Sequence, residues 1–149
     1  MTTEGESQPV RLASIVALDI VGFSTMSEKN QQLAADKVAG IRKRVEEIVV
    51  RNDGRIFNTA GDGFMLEFAS AGKAVAAIDE LINRKPKGEP AIRVGAHVGD
   101  VIVAANNDLL GHGVNVAARL QSLAAPNSAL VSGEFRSMAR TSQGAETSK

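Results

Sequence analysis

The sequence predicts an α+β domain of the ferredoxin-like class, a βαββαβ antiparallel sheet with helices on one face. Three observations carry that expectation. Residues 11–19 are a short run rich in Ile, Val, Leu and Ala that stops at Gly22, the pattern of a buried strand. Two later segments have the apolar spacing of amphipathic helices. Between them, two short strand-like runs flank a turn signal. The order strand, helix, strand, strand, helix, strand is that of a split βαβ sheet.

The first strand contains an anomaly, because Asp19 closes its apolar run in "ALDIVGFS". An unpaired buried carboxylate is costly enough that it normally shifts its pKa, finds a partner or binds a metal. Ser27 is placed as the N-cap of one long helix. Its apolar stripe is Ala34, Val38, Ile41, Val45, Ile48 and Val49, and "RNDGR" ends it. Residues 55–58 and 64–68 flank "TAGDG" and read as a hairpin. A second helix covers residues 71–83 and breaks at "KPKGEP". "AIRVGAHV" and "DVIVA" read as two short strands with a tight connection at Gly99. "GHGVNVAARLQSLA" follows as a third helix, with Val114, Val116, Ala117, Leu120 and Leu123 on its buried face. The strand "ALVS" and a weak helix over 135–140 complete the chain. Residues 1–10 and 141–149 are small, polar and aperiodic, so disordered tails are expected around a single domain over 11–140.

Composition removes several functional classes. The 149 residues carry 17 basic and 17 acidic side chains, leaving no electrostatic case for nucleic acid. Five Phe and no Tyr or Trp offer no platform for stacking bases. Without cysteine there are no disulfides or thiolate metal sites, and two separated histidines make a zinc site a poor expectation. The polar start lacks a signal-peptide core, and no apolar run reaches the ~20 residues of a membrane span. A cytoplasmic domain is expected.

The candidate chemistry lies in a few residues. Asp62 in "AGDGF" suits a hairpin turn by itself. The inferred sheet, however, brings the end of the first strand near the hairpin tip, so Asp19 and Asp62 can converge. Two such carboxylates suit a hard divalent cation completed by water and phosphate oxygens. Gly22 lets a backbone approach closely, which is ordinary loop chemistry or a phosphate-binding turn. Asn115 and Arg119 are four apart and share a helix face. They form either a solvated edge or a pair of donors for a sugar and a phosphate. His112 reads as a half-exposed residue near a helix start, and His97 as packed against the sheet.

"ALDIVGFS", "TAGDGFMLEF", "IRVGAHVGDVIV" and "GHGVNVAARLQSLAAPNSALVS" together resemble the successive motifs of class III nucleotidyl cyclase catalytic domains, over residues 11–132. The resemblance implies an adenylate cyclase, a lyase of intracellular signalling that converts ATP into 3′,5′-cyclic AMP and pyrophosphate. It implies two Mg²⁺ or Mn²⁺ ions per site, with metal contacts at Asp19, Ile20 and Asp62. Val21, Gly22, Phe23 and Ser24 match the triphosphate-binding turn. Asn115 matches the residue that orients the ribose, and Arg119 the one that stabilises the transition state. Asp108 matches a purine-contacting position, where aspartate accepts from the adenine amino group. Because the family builds its site between two catalytic domains, a C2 homodimer with two equivalent sites is implied. An upstream sensor domain or regulator is a further expected partner.

Two positions depart from the family pattern. Asn58 stands where a purine-pairing lysine is usual, and the polar end after "ALVS" predicts a shortened C-terminal part without the triphosphate lysine. These departures keep two further functions in view, a guanylate cyclase or a catalytically weak nucleotide-binding or dimerising regulatory module. A plain ferredoxin-like interaction domain would require every motif match to be coincidence.

Overall fold

The structure, a computed structural model, describes residues 8–60 and 62–147. In chain order its elements are β1 (Val10–Ile20), α1 (Phe23–Lys29), α2 (Gln31–Arg51), β2 (Gly54–Ala60) and β3 (Gly63–Phe68). They continue with α3 (Ala71–Asn83), β4 (Ile92–Val103), β5 (Leu109–Leu110), α4 (His112–Leu123), β6 (Ser128–Val131) and α5 (Gly133–Thr147). The sheet runs β2-β3-β1-β4-β5, with β6 alongside β4. The β2-β3-β1-β4 core is antiparallel throughout, as the ferredoxin-like class requires. β6 adds a parallel pairing to β4, which makes the sheet mixed.

Central β1 is buried on both faces, which explains its unbroken apolar run. Val16, Leu18 and Ile20 point into a core shared with α2, α3 and α5. Ala13, Ile15 and Ala17 point the other way, into a smaller core with Val101, Leu109 and Ala117. Ala117 belongs to α4, so α4 covers the face opposite the other helices. The one-sided layer expected from the sequence is corrected here, because β1 carries apolar residues in both phases and both must be covered.

The two strands expected around Gly99 are one. β4 pairs with β1 in unbroken register from Val10↔Ile102 to Ile20↔Ile92, and Gly99 lies within it opposite Ala13. Glycine is required there for space, since a Cβ would lie 2.5 Å from His97 Nε2. Gly95 has a similar role toward α4. A Cβ there would meet the Gln121 amide nitrogen at 2.2 Å and the Ala117 carbonyl oxygen at 2.4 Å, so the α4 backbone rests directly on β4.

Three features of the helices also differ from expectation. Ser27 lies inside α1 rather than capping the long helix. Asn30 caps α2, its side-chain oxygen accepting from the Leu33 amide at 3.0 Å. Leu123, placed on the buried face of the third helix, is 68% exposed. α5 runs on to Thr147, into the segment read as a tail, because Phe135 and Ala139 anchor one face of it in the main core. Among the described residues no helix is long and apolar enough to cross a membrane.

Candidate functional site

Asp19 sits near the end of β1, opposite Gly63 of β3 on one side and Arg93 of β4 on the other. Side chains alternate along a strand, so Asp19 shares the α4-facing phase of Ala13, Ile15 and Ala17. Its Oδ1 is buried and has no hydrogen-bond partner among the described residues. Burial pushes this carboxyl above the ordinary carboxylate range; Gln121 and the Arg93 charge pull it back, and the Asp62 charge adds to the rise. Asp62 immediately precedes Gly63, so the register itself brings the two carboxylates to one end of the sheet.

That orphaned oxygen tests the fit of a divalent cation. A carboxylate held out of water, with a second carboxylate beside it, lacks the positive charge that a cation would supply. No group of three or more His, Asp or Glu gathers among the described residues. An ion here would therefore take its remaining ligands from water and phosphate oxygens, as Mg²⁺ commonly does. Ile20 buries its side chain in the core of the other face, so only its main-chain atoms are available to a ligand.

The turn after β1 is more selective than the sequence implied. The Val21 amide donates to the Ala91 carbonyl at 2.8 Å, which removes it as an anion donor. Gly22 has φ 76°, a left-handed conformation that glycine adopts without strain, and it precedes α1. The first bond of that helix runs from the Met26 amide to the Gly22 carbonyl. The amides of Phe23, Ser24 and Thr25 precede it and have no intrahelical acceptor.

A second cluster forms where the β4–β5 turn folds back over β2. Asn58 Nδ2 donates to both oxygens of Asp108, at 3.2 and 3.4 Å. An ionised carboxylate only accepts, so this contact fixes the amide with its nitrogen toward Asp108. Asp108 Oδ1 also accepts from the Leu109 amide at 2.8 Å. The two residues singled out for base recognition thus meet within one chain.

Asn115 and Arg119 both lie exposed on the outer face of α4. Gln121, which interacts with Asp19, is on the same helix. At about 100° per residue, Arg119 and Gln121 point roughly 160° apart. Arg119 therefore faces away from the Asp19 carboxylate of its own chain. The structure does not bring Asn115 and Arg119 together with Asp19 and Asp62. His97 is buried, its Nδ1 2.8 Å from Ser132 Oγ, and burial lowers its pKa. His112 is exposed at the start of α4.

Three residues near these clusters escape a reading by motif. Arg93 and Gln121 flank Asp19 only through strand register and helix packing. Arg55 donates to the Asn107 carbonyl in the β4–β5 turn, and the only sign of it in the chain is a lone cation at the start of "RIFN".

Comparison with known proteins bears on the family and the fold. The family model for the adenylate and guanylate cyclase catalytic domain matches residues 6–149. The chain is similar to a protein described as putative adenylate cyclase 3 of Rhizobium meliloti. The two are 40% identical over 136 residues, which make up 85% of this chain and 23% of that protein. The chain thus spans about a quarter of that relative's length. Among solved structures it is similar to an adenylate/guanylate cyclase/hydrolase from Silicibacter pomeroyi. That match has a TM-score of 0.79 and 26% identity, covering 90% of this chain and 83% of that one. The guanylyl cyclase domain of the RhoGC fusion protein from the fungus Blastocladiella emersonii has the same fold. Its TM-score is 0.80 at 18% identity, covering 91% of this chain and 89% of that one.

Proposed function

This chain belongs to the adenylate and guanylate cyclase catalytic domain family, and from that premise we propose that it converts ATP into 3′,5′-cyclic AMP and pyrophosphate at sites shared by two copies of the chain. The observation that carries the reading is the buried, unpartnered Oδ1 of Asp19 beside Asp62. Asp19, Asp62 and the main chain of Ile20 would hold two Mg²⁺ or Mn²⁺ ions. Bound there, such ions lower the pKa of the ribose 3′-hydroxyl and neutralise triphosphate charge. The 3′-oxygen forms a bond to the α-phosphorus as the bond to the pyrophosphate oxygen breaks, and the hydroxyl proton passes to solvent.

The chain's own residues do the rest. The amides of Phe23 and Ser24, which have no intrahelical acceptor, donate to phosphate oxygens. Asp108 accepts from the adenine amino group, and the second N–H of the Asn58 amide is left for a ring nitrogen. Asn115 orients the ribose, and Arg119 meets the charge that develops on the transferred phosphorus.

Helix geometry supports the homodimer that family membership implies. Arg119 points away from its own Asp19, and a second copy supplying one of the two would bring both to one nucleotide. A two-fold pairing would then build two equivalent sites. The reaction is tested by incubating the protein with Mn²⁺ and either ATP or GTP and separating the products by chromatography. Cyclic AMP exceeding cyclic GMP supports the reading. Cyclic GMP in excess overturns the base assignment, and no cyclic product overturns the enzyme.

A further inference from the structure

We propose that Arg55 is a positioning residue that clamps the β4–β5 turn onto β2 and thereby sets the base-reading edge of Asn58 and Asp108. This inference rests on the cyclase reading given above. The turn between Val103 and Leu109 is tight and locally strained. The Asn107 amide donates to the Ala104 carbonyl, and the Ala104 amide to the Asp108 carbonyl, both at 2.9 Å. Asn107 has φ 67°, in the left-handed region. Nothing in that local pattern dictates where Asp108 stands relative to β2.

Arg55 supplies the missing constraint. Its Nη2 donates to the Asn107 carbonyl at 2.7 Å, one residue before Asp108. Its Nε donates to Glu67 Oε1 at 2.9 Å, across the β2–β3 pairing. Glu67 is held in turn by Arg11 from β1, and the two arginines keep its carboxyl below the ordinary range despite burial. The guanidinium also lies 5.8 Å from the centre of the Phe57 ring, which limits its swing. A planar fork held on one side by a carboxylate and on the other by a carbonyl defines a fixed distance between strand and turn. Asn58 lies three residues along the same strand, just beyond a register shift between Ile56 and Asn58 in the pairing with β3, so the clamp and the base edge share one strand.

The test compares three variants by steady-state kinetics and amide hydrogen exchange. Arg55→Met keeps a long stem over Phe57 and loses both hydrogen bonds. Arg55→Lys has one ammonium for two acceptors. Arg11→Met removes the other cation on Glu67 and leaves the Asn107 bond in place. Arg55→Met should raise KM for ATP about five- to tenfold, since of its two lost hydrogen bonds only the one to the Asn107 carbonyl bears on the base edge, and should narrow the ATP/GTP ratio. Its kcat should stay within about twofold, and amide exchange at residues 107–109 should quicken while β1 is unchanged. Arg55→Lys should fall between, and serves as the reading variant if Arg55→Met does not fold. Arg11→Met loosens only the anchor of the clamp and should move KM and the turn's exchange less than Arg55→Lys does.

Unchanged exchange in both Arg55 variants refutes the clamp. Faster exchange with KM and the ATP/GTP ratio unmoved refutes its role in base reading. Equal effects from Arg11→Met and Arg55→Met would make the ion network merely structural and overturn the proposal. If the parent forms no cyclic product, the cyclase reading fails, while the exchange data still decide whether Arg55 holds the turn.

Discussion

Gly95→Ala should damage the protein in a way that connects packing with catalysis. The added Cβ would lie 2.2 Å from the Gln121 nitrogen and 2.4 Å from the Ala117 oxygen, roughly 1 Å short of ordinary contact at 3.4 Å. Both neighbours are backbone, so no side chain can rotate out of the way. α4 must lift from β4 or tilt about its far end. Overpacking of this kind costs about 2 kcal/mol, which for a domain of this size lowers Tm by about 7 °C. The same displacement moves Asn115 and Arg119, which stand on the outer face of α4. A shift near 1 Å in catalytic groups can cost about a hundredfold in kcat. Thermal unfolding by circular dichroism and cyclic nucleotide formation with Mn²⁺ and ATP read the two effects. A variant with parental Tm and kcat would refute the close packing of α4 on β4. A lowered Tm with parental kcat would refute the link from that packing to the Asn115 and Arg119 positions.

Other outcomes follow from the same structure. Asp19→Asn and Asp62→Asn should each abolish cyclisation while leaving the metal-free Tm equal or higher, because each removes one of two neighbouring carboxylates, and burial disfavours the charge on Asp19; unfolded variants would show that the carboxylates serve the fold instead. Asn58→Lys should widen the ATP over GTP ratio of kcat/KM about tenfold by adding a charged donor beside Asp108, and an unchanged ratio would remove both residues from base contact. His97 is held below its ordinary pKa of 6.5 chiefly by burial. The unfolded chain therefore binds this proton at a higher pH than the folded one, and stability should fall as pH drops through 6.5 toward the lower folded value. Denaturant titrations from pH 8 to 5 should show that loss, and His97→Gln should flatten it; an identical slope in the variant would exclude His97 as its source.

How much of this was legible in the sequence depends on the range of each signal. The βαββαβ order was readable because apolar periodicity is local, and Asp19 stood out because it broke a run. Gly99 was misread because a glycine in a strand marks either a turn or a crowded neighbour. Only the eleven-residue pairing with β1 shows that the neighbour, His97, is the cause. Ser27 was read as the cap of the long helix, whereas the cap is Asn30, because serine and asparagine mark helix starts equally well. The two-sided covering of β1 was implicit in its unbroken run, but no periodicity says which helix covers which face. Within the site, the Asp19–Asp62 approach follows from strand order and was accessible. Arg93, Gln121 and Arg55 reach their places through register and packing over long separations, which spacing in the chain does not encode.

The central claim is that the carboxylates of one copy and the Asn115–Arg119 face of another act on the same nucleotide. Mixing two inactive variants, Asp19→Asn and Arg119→Ala, tests it directly. Each homodimer has two damaged sites. A mixed dimer places both lesions in one site and leaves the other intact. Random pairing makes about half the dimers mixed, so about a quarter of parental activity should return once subunits exchange. Exchange is confirmed separately by co-purification through a tag on one variant. Recovery near a quarter is the predicted result, and no recovery despite confirmed exchange would show that each chain builds its own site.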